Sequence, residues 1–209
     1  MKFRIAKASD ANRIAEIQRK IKEVNDLGIF CHMGKSFLSQ YYKILIEDPT
    51  TVFVCAINDD DIICGYCFNV LDASVQNENM RSHKFQLAFS ALSSILVNPS
   101  LIKELYKRYK SLKNNDDVYL HNEGAHGGYW GWDPGCPDSL SSFELHERTL
   151  LITKLLGVEE LRFEVDKENK HVFKFHKLNG AIIEKEFILP DGRERVFMSY
   201  DLKTHKYKI

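Results

Sequence analysis

The sequence has no excess of charge of either sign. Lys plus Arg (29) equals Asp plus Glu (29), so no overall field draws the chain toward nucleic acid or an anionic membrane. The densest apolar run, from Phe85 to Val97, is shorter than the roughly 20 residues that cross a bilayer. We therefore expect no nucleic-acid partner and no stable insertion into a membrane.

The N-terminus lacks the features of a secretory signal. Residues 1–20 are typical of a strand followed by an amphipathic helix, without a continuous apolar core or a small-residue cleavage site. We expect a cytoplasmic protein.

The cysteines do not form a pattern typical of a disulfide framework. They are odd in number in a chain without a signal, which favours free thiols. Cys64 and Cys67 form a CxxC, but they lie in a predicted strand, where residues three apart point to opposite faces. We do not expect a redox pair there. The five cysteines are Cys31, Cys55, Cys64, Cys67 and Cys136.

What the sequence does contain is enough apolar material for one core. With 209 residues, 44% of them hydrophobic, the chain predicts a single domain over residues 1–209. Hydrophobic periodicity and turn residues predict the order βααββ, a helical insert, then βαβαββ. The predicted elements are a strand from Phe3 to Ala8, helices with Ile14, Ile17 and Ile21 and over Ser36 to Glu47, a hairpin of Thr51 to Ile57 and Ile62 to Leu71, strand material within Val118 to Asp133, a helix over Ser142 to Leu156, a strand over Leu161 to Val165, a helix over Asn169 to Asn179, and a closing hairpin of Ala181 to Leu189 and Arg193 to Leu202.

Residues 79–113 have a helical pattern with a break at Asn98-Pro99. We favour a helical insert packed over the sheet. Contact with a membrane surface is the alternative, because lysines and an arginine in residues 103–113 lie near tyrosines.

The segment Glu164 to Ala181 resembles the C-terminal signature of the GNAT acyltransferase superfamily. In that signature an Asn opens a helix, a small or aliphatic residue follows three later, a Tyr seven later, and a Gly with a hydrophobic residue closes it. The matching positions are Asn169, Val172, His176, Gly180 and Ala181. Gly157-Val158 before a strand is also similar to the superfamily.

The first half of the chain resembles GNAT members of polysaccharide and amino-sugar biosynthesis. The resemblance covers Leu27-Gly28, Gly34 to Tyr42, the two hairpin strands and the helical insert with Asn98 to Ile102. Together these resemblances imply an α/β (α+β) GNAT fold: a central mixed, twisted sheet of about six to seven strands flanked by helices, with a helical insert between strands 3 and 4. They also imply acetyl-CoA or another acyl-CoA as co-substrate and a small-molecule amine as acceptor. A homodimer is left open.

The loop after the fourth strand departs from the family pattern. GNAT members hold the CoA pyrophosphate with an Arg/Gln-x-x-Gly-x-Gly/Ala loop at a helix N-terminus. Here Pro134 matches the preceding turn, but residues 137–142 supply neither the basic residue nor the glycines. The segment is either a weak CoA site or only a helix-capping loop. The resemblance implies that CoA is bound by Trp130, Gly131, Trp132, Pro137, Asp138, Ser139, Ser141, Ser142 and Asn169.

The resemblance also implies catalytic residues. His176 takes the place of the tyrosine near the leaving thiolate, and a histidine pKa near 6.5 suits proton donation at neutral pH. The alternative is a buried histidine satisfied by the backbone. Glu123 is the first choice as general base among Glu123, His121, His126 and Asp133. His32, Tyr41 and His126 are candidates for substrate binding, with Lys35 either lining the acceptor pocket or solvated. A superficial resemblance to a metal cluster is formed by two histidines and a carboxylate, His121, His126 and Glu123. Their spacing does not supply a third well-placed ligand, so no metal site is expected.

The function that follows is transfer of an acyl group, most simply acetyl, from acyl-CoA to a primary amine, with a nucleotide-linked amino sugar as one candidate acceptor. Two alternatives stay open. One is a GNAT-fold binding or regulatory module without catalysis. The other is an acyltransferase whose donor is an acyl-carrier protein, because that donor presents a single phosphate and needs no pyrophosphate loop.

Overall fold

The computed structural model describes residues 1–21, 32–103, 105, 106, 123–189 and 192–207. It contains seven strands and six helices with defined bounds, together with a short 3-10 turn at Ala8–Asp10. The strands are β1 (Lys2–Ile5), β2 (Thr51–Ile57), β3 (Ile63–Val70), β4 (His126–Trp132), β5 (Glu160–Asp166), β6 (Ile182–Ile188) and β7 (Glu194–Asp201). The helices are α1 (Ala11–Ile21), α2 (Lys35–Glu47), α3 (Ala73–Ser82), α4 (Lys84–Val97), α5 (Ser141–Leu155) and α6 (Lys170–Leu178).

All seven strands form one sheet in the order β1-β2-β3-β4-β5-β7-β6. Every neighbouring pair is antiparallel except β4 and β5, which are parallel. The mixed sheet and the element order confirm the fold predicted from the sequence. The boundaries agree to within a few residues, except that β1 ends at Ile5 because Ala8 belongs to the 3-10 turn.

Helices α1 and α2 cover one face of the first half of the sheet. Ile14 and Ile17 of α1 are fully buried, as their helical spacing predicts, and they share a core with Leu38 of α2 and with Phe53 and Tyr66 of the hairpin. β2 and β3 are buried along almost their whole length because helices lie on both of their faces.

Helices α5 and α6 lie on the opposite face. Leu150 of α5 packs with Phe163 and Val165 of β5, and Val172 of α6 joins the same cluster. Asn169 caps α6 by accepting a hydrogen bond from the Val172 amide at 3.4 Å. Gly180 follows the helix with φ of 87°, the left-handed conformation that glycine adopts most readily at a helix end.

The insert differs from its prediction in where it begins and in what it packs on. It begins earlier, at Ala73, because the Asp72 carboxylate accepts hydrogen bonds from the amides of Ser74 and Val75 and so starts α3. Moreover, α4 packs on α2 rather than directly on the sheet. Residues 107–113 of the predicted insert, the strand material before residue 123 and the turn residues 190 and 191 lie outside the described residues.

The prediction of free thiols is wrong for two of the five cysteines. Cys64 of β3 and Cys136, which follows β4, form a disulfide with a Cα–Cα distance of 5.8 Å. Cys55 and Cys67 are free and buried, whereas Cys31 lies outside the described residues. Cys64 does not pair with Cys67, in agreement with the prediction that these two point to opposite faces of the strand. Within the described part of the chain, no helix is both long and apolar enough to span a bilayer.

Candidate functional site

A cleft opens where the two parallel strands of the sheet separate. β4 pairs with β3 at five positions, from Gly65↔Trp132 to Val70↔His126. Its other edge pairs with β5 at His126↔Arg162 alone. Because both strands begin at this shared end, they diverge toward their C-terminal ends. A cavity of about 190 Å³ lies in the gap between them.

The cavity is reached from both faces of the sheet, since residues alternate along a strand. On the α5 and α6 side it is lined by Trp130, His146, Phe163, Val172, His176 and Tyr200. On the α1 side it is lined by Gln18, Ile21, Tyr129, Glu164, Asp166 and Arg195. The first side is aromatic and apolar, whereas the second carries most of the charge.

Two buried histidines face each other on the aromatic side. The rings of His146 (α5) and His176 (α6) lie 5.2 Å apart, and His176 Nδ1 is 2.9 Å from Tyr200 Oη. Burial, and after it the neighbouring His146, holds the pKa of His176 well below the usual histidine value. Burial also lowers the pKa of His146, against the opposing effect of Glu147. Both rings are therefore neutral at pH 7.

The low pKa changes the role expected of His176. An imidazolium is scarce at neutral pH when the pKa is this low, so His176 is suited to hydrogen bonding by its neutral ring rather than to donation from a charged ring. Burial raises the pKa of Tyr200, which keeps its hydroxyl proton. When the Tyr200 hydroxyl donates to Nδ1, the ring proton of His176 is on Nε2.

One nitrogen atom of the cavity wall, Trp130 Nε1, has no hydrogen-bond partner among the described residues. The Trp130 ring lies 4.9 Å from the ring of His146, whose Nδ1 is turned toward Glu147 Oε1 at 3.9 Å. His146 is only 6% exposed. A buried donor without a partner costs about 1–3 kcal/mol, and such a cost is recovered when a ligand supplies an acceptor.

Behind this wall, Glu147 and His205 form a second buried pair. Glu147 Oε2 is 3.0 Å from His205 Nε2, and both side chains are almost fully buried. The pair ties α5 to the segment after β7, which fixes the position of His146 beside the cleft.

The carboxylates on the charged side of the cavity are paired with arginines: Arg193 Nη1 lies 3.4 Å from Asp166 Oδ2, and Arg195 contacts both Glu164 and Asp166. Arg195 of β7 donates from Nη1 to the carboxylate of Glu164, and its Nε lies 3.1 Å from Asp166 Oδ1. Glu164 and Asp166 are two residues apart on β5 and share a face. The α1 side of the cleft therefore presents two carboxylates and a guanidinium.

The loop after β4 is held in place by an ion cluster. Asp133 is buried, and its Oδ2 is contacted by Arg13 Nη2 and by Lys20 Nζ at 2.9 Å. Burial raises the pKa of Asp133, but hydrogen bonds from the Gly135 amide, Lys20 and Arg13 outweigh it, so the pKa is lowered. Asp133 is thus a structural anion rather than a base.

The backbone amides at the N-terminus of α5 donate hydrogen bonds to groups within the preceding loop. The Asp138 carboxylate accepts from the Ser141 hydroxyl at 2.6 Å and from its amide at 3.4 Å. The Ser142 amide donates to the Ser139 carbonyl, and the Phe143 amide to the Leu140 carbonyl. A carboxylate therefore occupies the end of the helix that holds phosphate in other proteins.

Three of the predicted site residues line the cavity: Trp130, Asn169 and His176. Gly131 adjoins it, and a Cβ there would approach Ile21 and the Tyr66 ring to 2.8 Å, so close packing with α1 requires glycine. The Trp132 indole turns to the Cys136 carbonyl at 3.3 Å. The residues of the α5 loop, namely Pro137, Asp138, Ser139, Ser141 and Ser142, follow the open end of β4 but do not line the cavity.

The remaining predicted residues are not brought to the cavity. Glu123 is exposed and precedes β4 at the closed end of the cleft. His126 lies at that end too, with Nε2 3.2 Å from Gln76 Oε1, and burial lowers its pKa. Tyr41 stacks on Phe37 within the α2 core, and His32 lies just before α2. His121 lies outside the described residues.

Lys35 belongs to a different feature. It forms an ion pair with Glu16 at 2.6 Å and lines an open groove of about 630 Å³ between the start of α1 and α2. No group of three or more potential metal ligands is found in the described ranges.

The sequence reasoning missed His146, Tyr200, Glu164, Asp166 and Arg195. His146 had a signal, since it is a polar residue on a helix face that also carries Leu145 and Leu150. Glu164, Asp166 and Arg195 are ordinary strand residues in the sequence, and only the pairing of β5 with β7 brings them together.

No protein-family model matches the sequence, and no curated protein sequence matches it. Solved structures do. A chimera of the spermidine N-acetyltransferase SpeG from Vibrio cholerae and hSSAT is 10% identical, covers 97% of this chain and 95% of its own, and has a TM-score of 0.60. The protein yncA of Salmonella typhimurium, solved with its cofactor acetyl-CoA, is 11% identical over 100% of this chain and 98% of its own, with a TM-score of 0.56.

A third similar structure is a protein of the GNAT family from Desulfovibrio desulfuricans, 13% identical over 96% of this chain and 98% of its own, with a TM-score of 0.55. Likeness at such low identity is a likeness of fold. The chain therefore has the fold of the GNAT acyltransferases, with a seven-stranded sheet that opens between β4 and β5.

Proposed function

We propose that this protein is an acyl-CoA-dependent N-acyltransferase that acts on the primary amine of a small molecule. The observation that carries the proposal is the separation of β4 from β5 after a single paired position. Beyond that position the facing edges of the described strands β4 and β5 are not paired with each other, and backbone groups along such an edge can form hydrogen bonds with a ligand. The extended pantetheine arm of an acyl-CoA carries amides that can form such hydrogen bonds.

The two sides of the cleft suit the two substrates. The aromatic side, with Trp130 and Val172, fits the pantetheine arm and acyl group. The unpartnered Nε1 of Trp130 offers a hydrogen bond there to an oxygen atom of the donor. The carboxylates of Glu164 and Asp166 on the α1 side attract an amine in its ammonium form. The gap between the strands lets donor and acceptor meet.

In the reaction, the neutral amine nitrogen attacks the thioester carbonyl carbon, a C–N bond forms, the C–S bond breaks and a thiolate leaves. The amine gives up a proton to water, and the thiolate takes up a proton from water to become the free thiol. We assign His176 to the departing sulfur, where Nε2–H donates a hydrogen bond and Tyr200 fixes the ring through Nδ1. This role needs only a neutral ring and agrees with the lowered pKa of His176.

The acceptor is proposed here only as a class. An amino group on a nucleotide-linked sugar is the narrower candidate, motivated by the resemblance of the first half of the chain to amino-sugar acyltransferases. The charged side supports it to the extent that Arg195 lies beside the two carboxylates, where it can bind an anionic group of the same substrate.

A carrier protein as acyl donor is a second candidate, favoured by one observation. The amides at the start of α5 are engaged within the loop, and the Asp138 carboxylate sits at that helix end. A phosphopantetheine arm on a protein brings one phosphate rather than a pyrophosphate with an adenosine group.

The test is release of free thiol when purified protein is mixed with acetyl-CoA and a panel of amines, with acyl-phosphopantetheine as the alternative donor. Calorimetry with CoA measures donor binding directly. Turnover with acetyl-CoA supports the first candidate, and turnover with acyl-phosphopantetheine alone supports the second. Absence of binding and turnover with both donors contradicts an acyltransferase role.

The test of the active-site assignment is His176→Phe. We expect kcat to fall about 100-fold, because the hydrogen bond to the departing sulfur is lost. The matched control is His171→Phe on the exposed part of the same helix, which should keep full activity. Equal activity of the two variants would contradict the role given to His176.

A further inference from the structure

Helix α4 carries its large apolar side chains on the outside. Phe85, Phe89, Leu96 and Val97 are 77–88% exposed, and Leu92 is 49% exposed. We call Phe85, Phe89, Leu92 and Leu96 the α4 stripe. A surface helix normally turns such residues toward the core, so this orientation requires a physical reason.

The inner side of α4 explains how the helix is held without these residues. It faces α2 through Ser90, Ala91 and Ser94, and the Ser94 hydroxyl accepts a hydrogen bond from the Gly34 amide at 2.9 Å. Ile95 contacts the core at its edge. Small residues let α4 approach α2 closely, so the orientation of the helix is fixed while its large side chains point away.

The outer stripe has the spacing of a helix-pairing seam. Its members follow one another at intervals of four, three and four residues, the repeat that places apolar side chains along one line of a coiled coil. Phe85 and Phe89 alone expose roughly 300 Å², since a phenylalanine has about 150–250 Å² to bury. With Leu92, Leu96 and Val97 the patch reaches the range of roughly 300–600 Å² that is often functional on a monomer.

We propose that the α4 stripe binds the α4 stripe of a second copy of this chain, with the two helices antiparallel about a two-fold axis. Residues 85–102 contain no charged side chain, so two identical faces meet without repulsion. Antiparallel pairing also places Lys84 of each copy near the C-terminal end of the other helix, where a positive charge is favourable.

A membrane surface is the less favoured occupant. Lipid-binding helices carry lysines and arginines along their polar face, whereas the exposed polar side chains of α4 after Lys84 are uncharged, as in Gln86 and Ser93. The lysines and the arginine of residues 103–113, which motivate the membrane alternative, come after α4 in the sequence rather than within it, and the chain as a whole has no net charge to draw it to anionic lipid.

The antiparallel arrangement fixes which residues meet. The two-fold axis passes between Phe89 and Leu92, so that Phe89 of one copy packs on Leu92 of the other and Phe85 on Leu96. This register is specific enough to test by crosslinking.

The first experiment compares the oligomeric state of full-length wild type, Leu96→Glu and Leu155→Glu by sedimentation velocity over a wide range of concentrations. Leu155 is a matched control, because it is also a leucine near a helix C-terminus and is 75% exposed, against 80% for Leu96. We expect dimers for wild type and Leu155→Glu, and a dissociation constant raised about 100-fold for Leu96→Glu, since a charge is buried in the seam. Circular dichroism checks that each variant is folded.

The second experiment tests the register. Phe89→Cys and Leu92→Cys chains, mixed and oxidised, should crosslink faster than either variant alone. A wild type that stays monomeric, or a dimer that Leu96→Glu leaves intact, overturns the proposal. Stripe-dependent binding of a monomer to vesicles of phosphatidylcholine and phosphatidylserine would also overturn it, in favour of a lipid partner.

Discussion

The two edges of β4 differ in how far they pair with neighbouring strands. Along one edge the strand pairs with β3 at five positions, and along the other it pairs with β5 at one. The paired edge is filled by close packing, as where the Trp132 ring lies over Gly65. The open edge is bordered by buried histidines, an unpartnered indole nitrogen and carboxylates.

This contrast separates stability from function within one strand. A paired edge satisfies its own backbone groups and gains from side-chain packing. An unpaired edge inside the molecule leaves those groups for a ligand. Substitutions on the paired edge should therefore change the free energy of unfolding, and substitutions on the open edge should change binding and turnover.

The largest effect is expected from Gly65→Ala on the paired edge. A Cβ there collides with the Trp132 ring, so the indole or β3 must move. We expect a loss of about 2–3 kcal/mol in the free energy of unfolding. Urea denaturation measures it, and Gly135→Ala, where the nearest atom to the new Cβ is 3.3 Å away, is the milder control. Equal losses for both would remove the distinction drawn for this edge.

The pH dependence of stability tests the open edge. His146 and His176 have lowered pKa values in the folded protein, so the unfolded chain binds more protons below about pH 6.5. Stability is therefore full above that pH and falls as the pH drops, by up to about 1.4 kcal/mol per pH unit for each histidine. Thermal melts from pH 7 to pH 5 should show a smaller slope for His176→Asn but not for His171→Asn. An unchanged slope would mean that His176 is not titrating as a buried group.

Glu164→Gln tests the charged side of the open edge. Removing this charge should raise the KM for the amine about tenfold and change kcat less, because attraction of the ammonium form is lost. Glu160→Gln is the matched control, since Glu160 lies on the same strand but outside the cavity. Steady-state kinetics on both variants gives the comparison, and a kcat effect alone would point to a different role.

The smallest effect concerns the loop beyond the open edge. Asp138→Asn removes a negative charge from the helix end that the CoA pyrophosphate would approach. We expect CoA affinity to rise about threefold, in line with about 0.3–1 kcal/mol for a charge at a helix terminus. Calorimetry measures it, with Asp59→Asn in the β2–β3 turn as control. A fall in affinity would show that Asp138 supports the loop rather than opposing the ligand.

Much of the fold could be predicted from local patterns. The spacing of Ile14 and Ile17, the polar turn between β2 and β3, and Gly180 after α6 each express a local preference that the structure follows. The cap of α3 at Asp72 was missed although its signal was also local. Boundaries elsewhere shifted by only a few residues.

The site was predicted less completely. Trp130, Asn169 and His176 line the cavity, and the resemblance to the GNAT signature supplied the last two. Glu123 is predicted as the base because it lies near the strand whose end faces the acceptor in the GNAT fold, but the structure places it at the closed end of the cleft. The direction of β4 explains this position. Glu123 precedes the first residue of the strand, so the length of β4 separates it from the loop that follows the last residue.

By itself the sequence determined the element order, the two amphipathic faces of α1 and α2, and the signature from Asn169 to Ala181, because each depends on residues close together in the chain. Only the tertiary structure decided the rest. It separated β4 from β5, lowered the pKa of His176 by burial, joined Cys64 to Cys136 across 72 residues, and turned the apolar side of α4 outward. Each of these depends on which distant segments become neighbours, and that information is not local to any part of the chain.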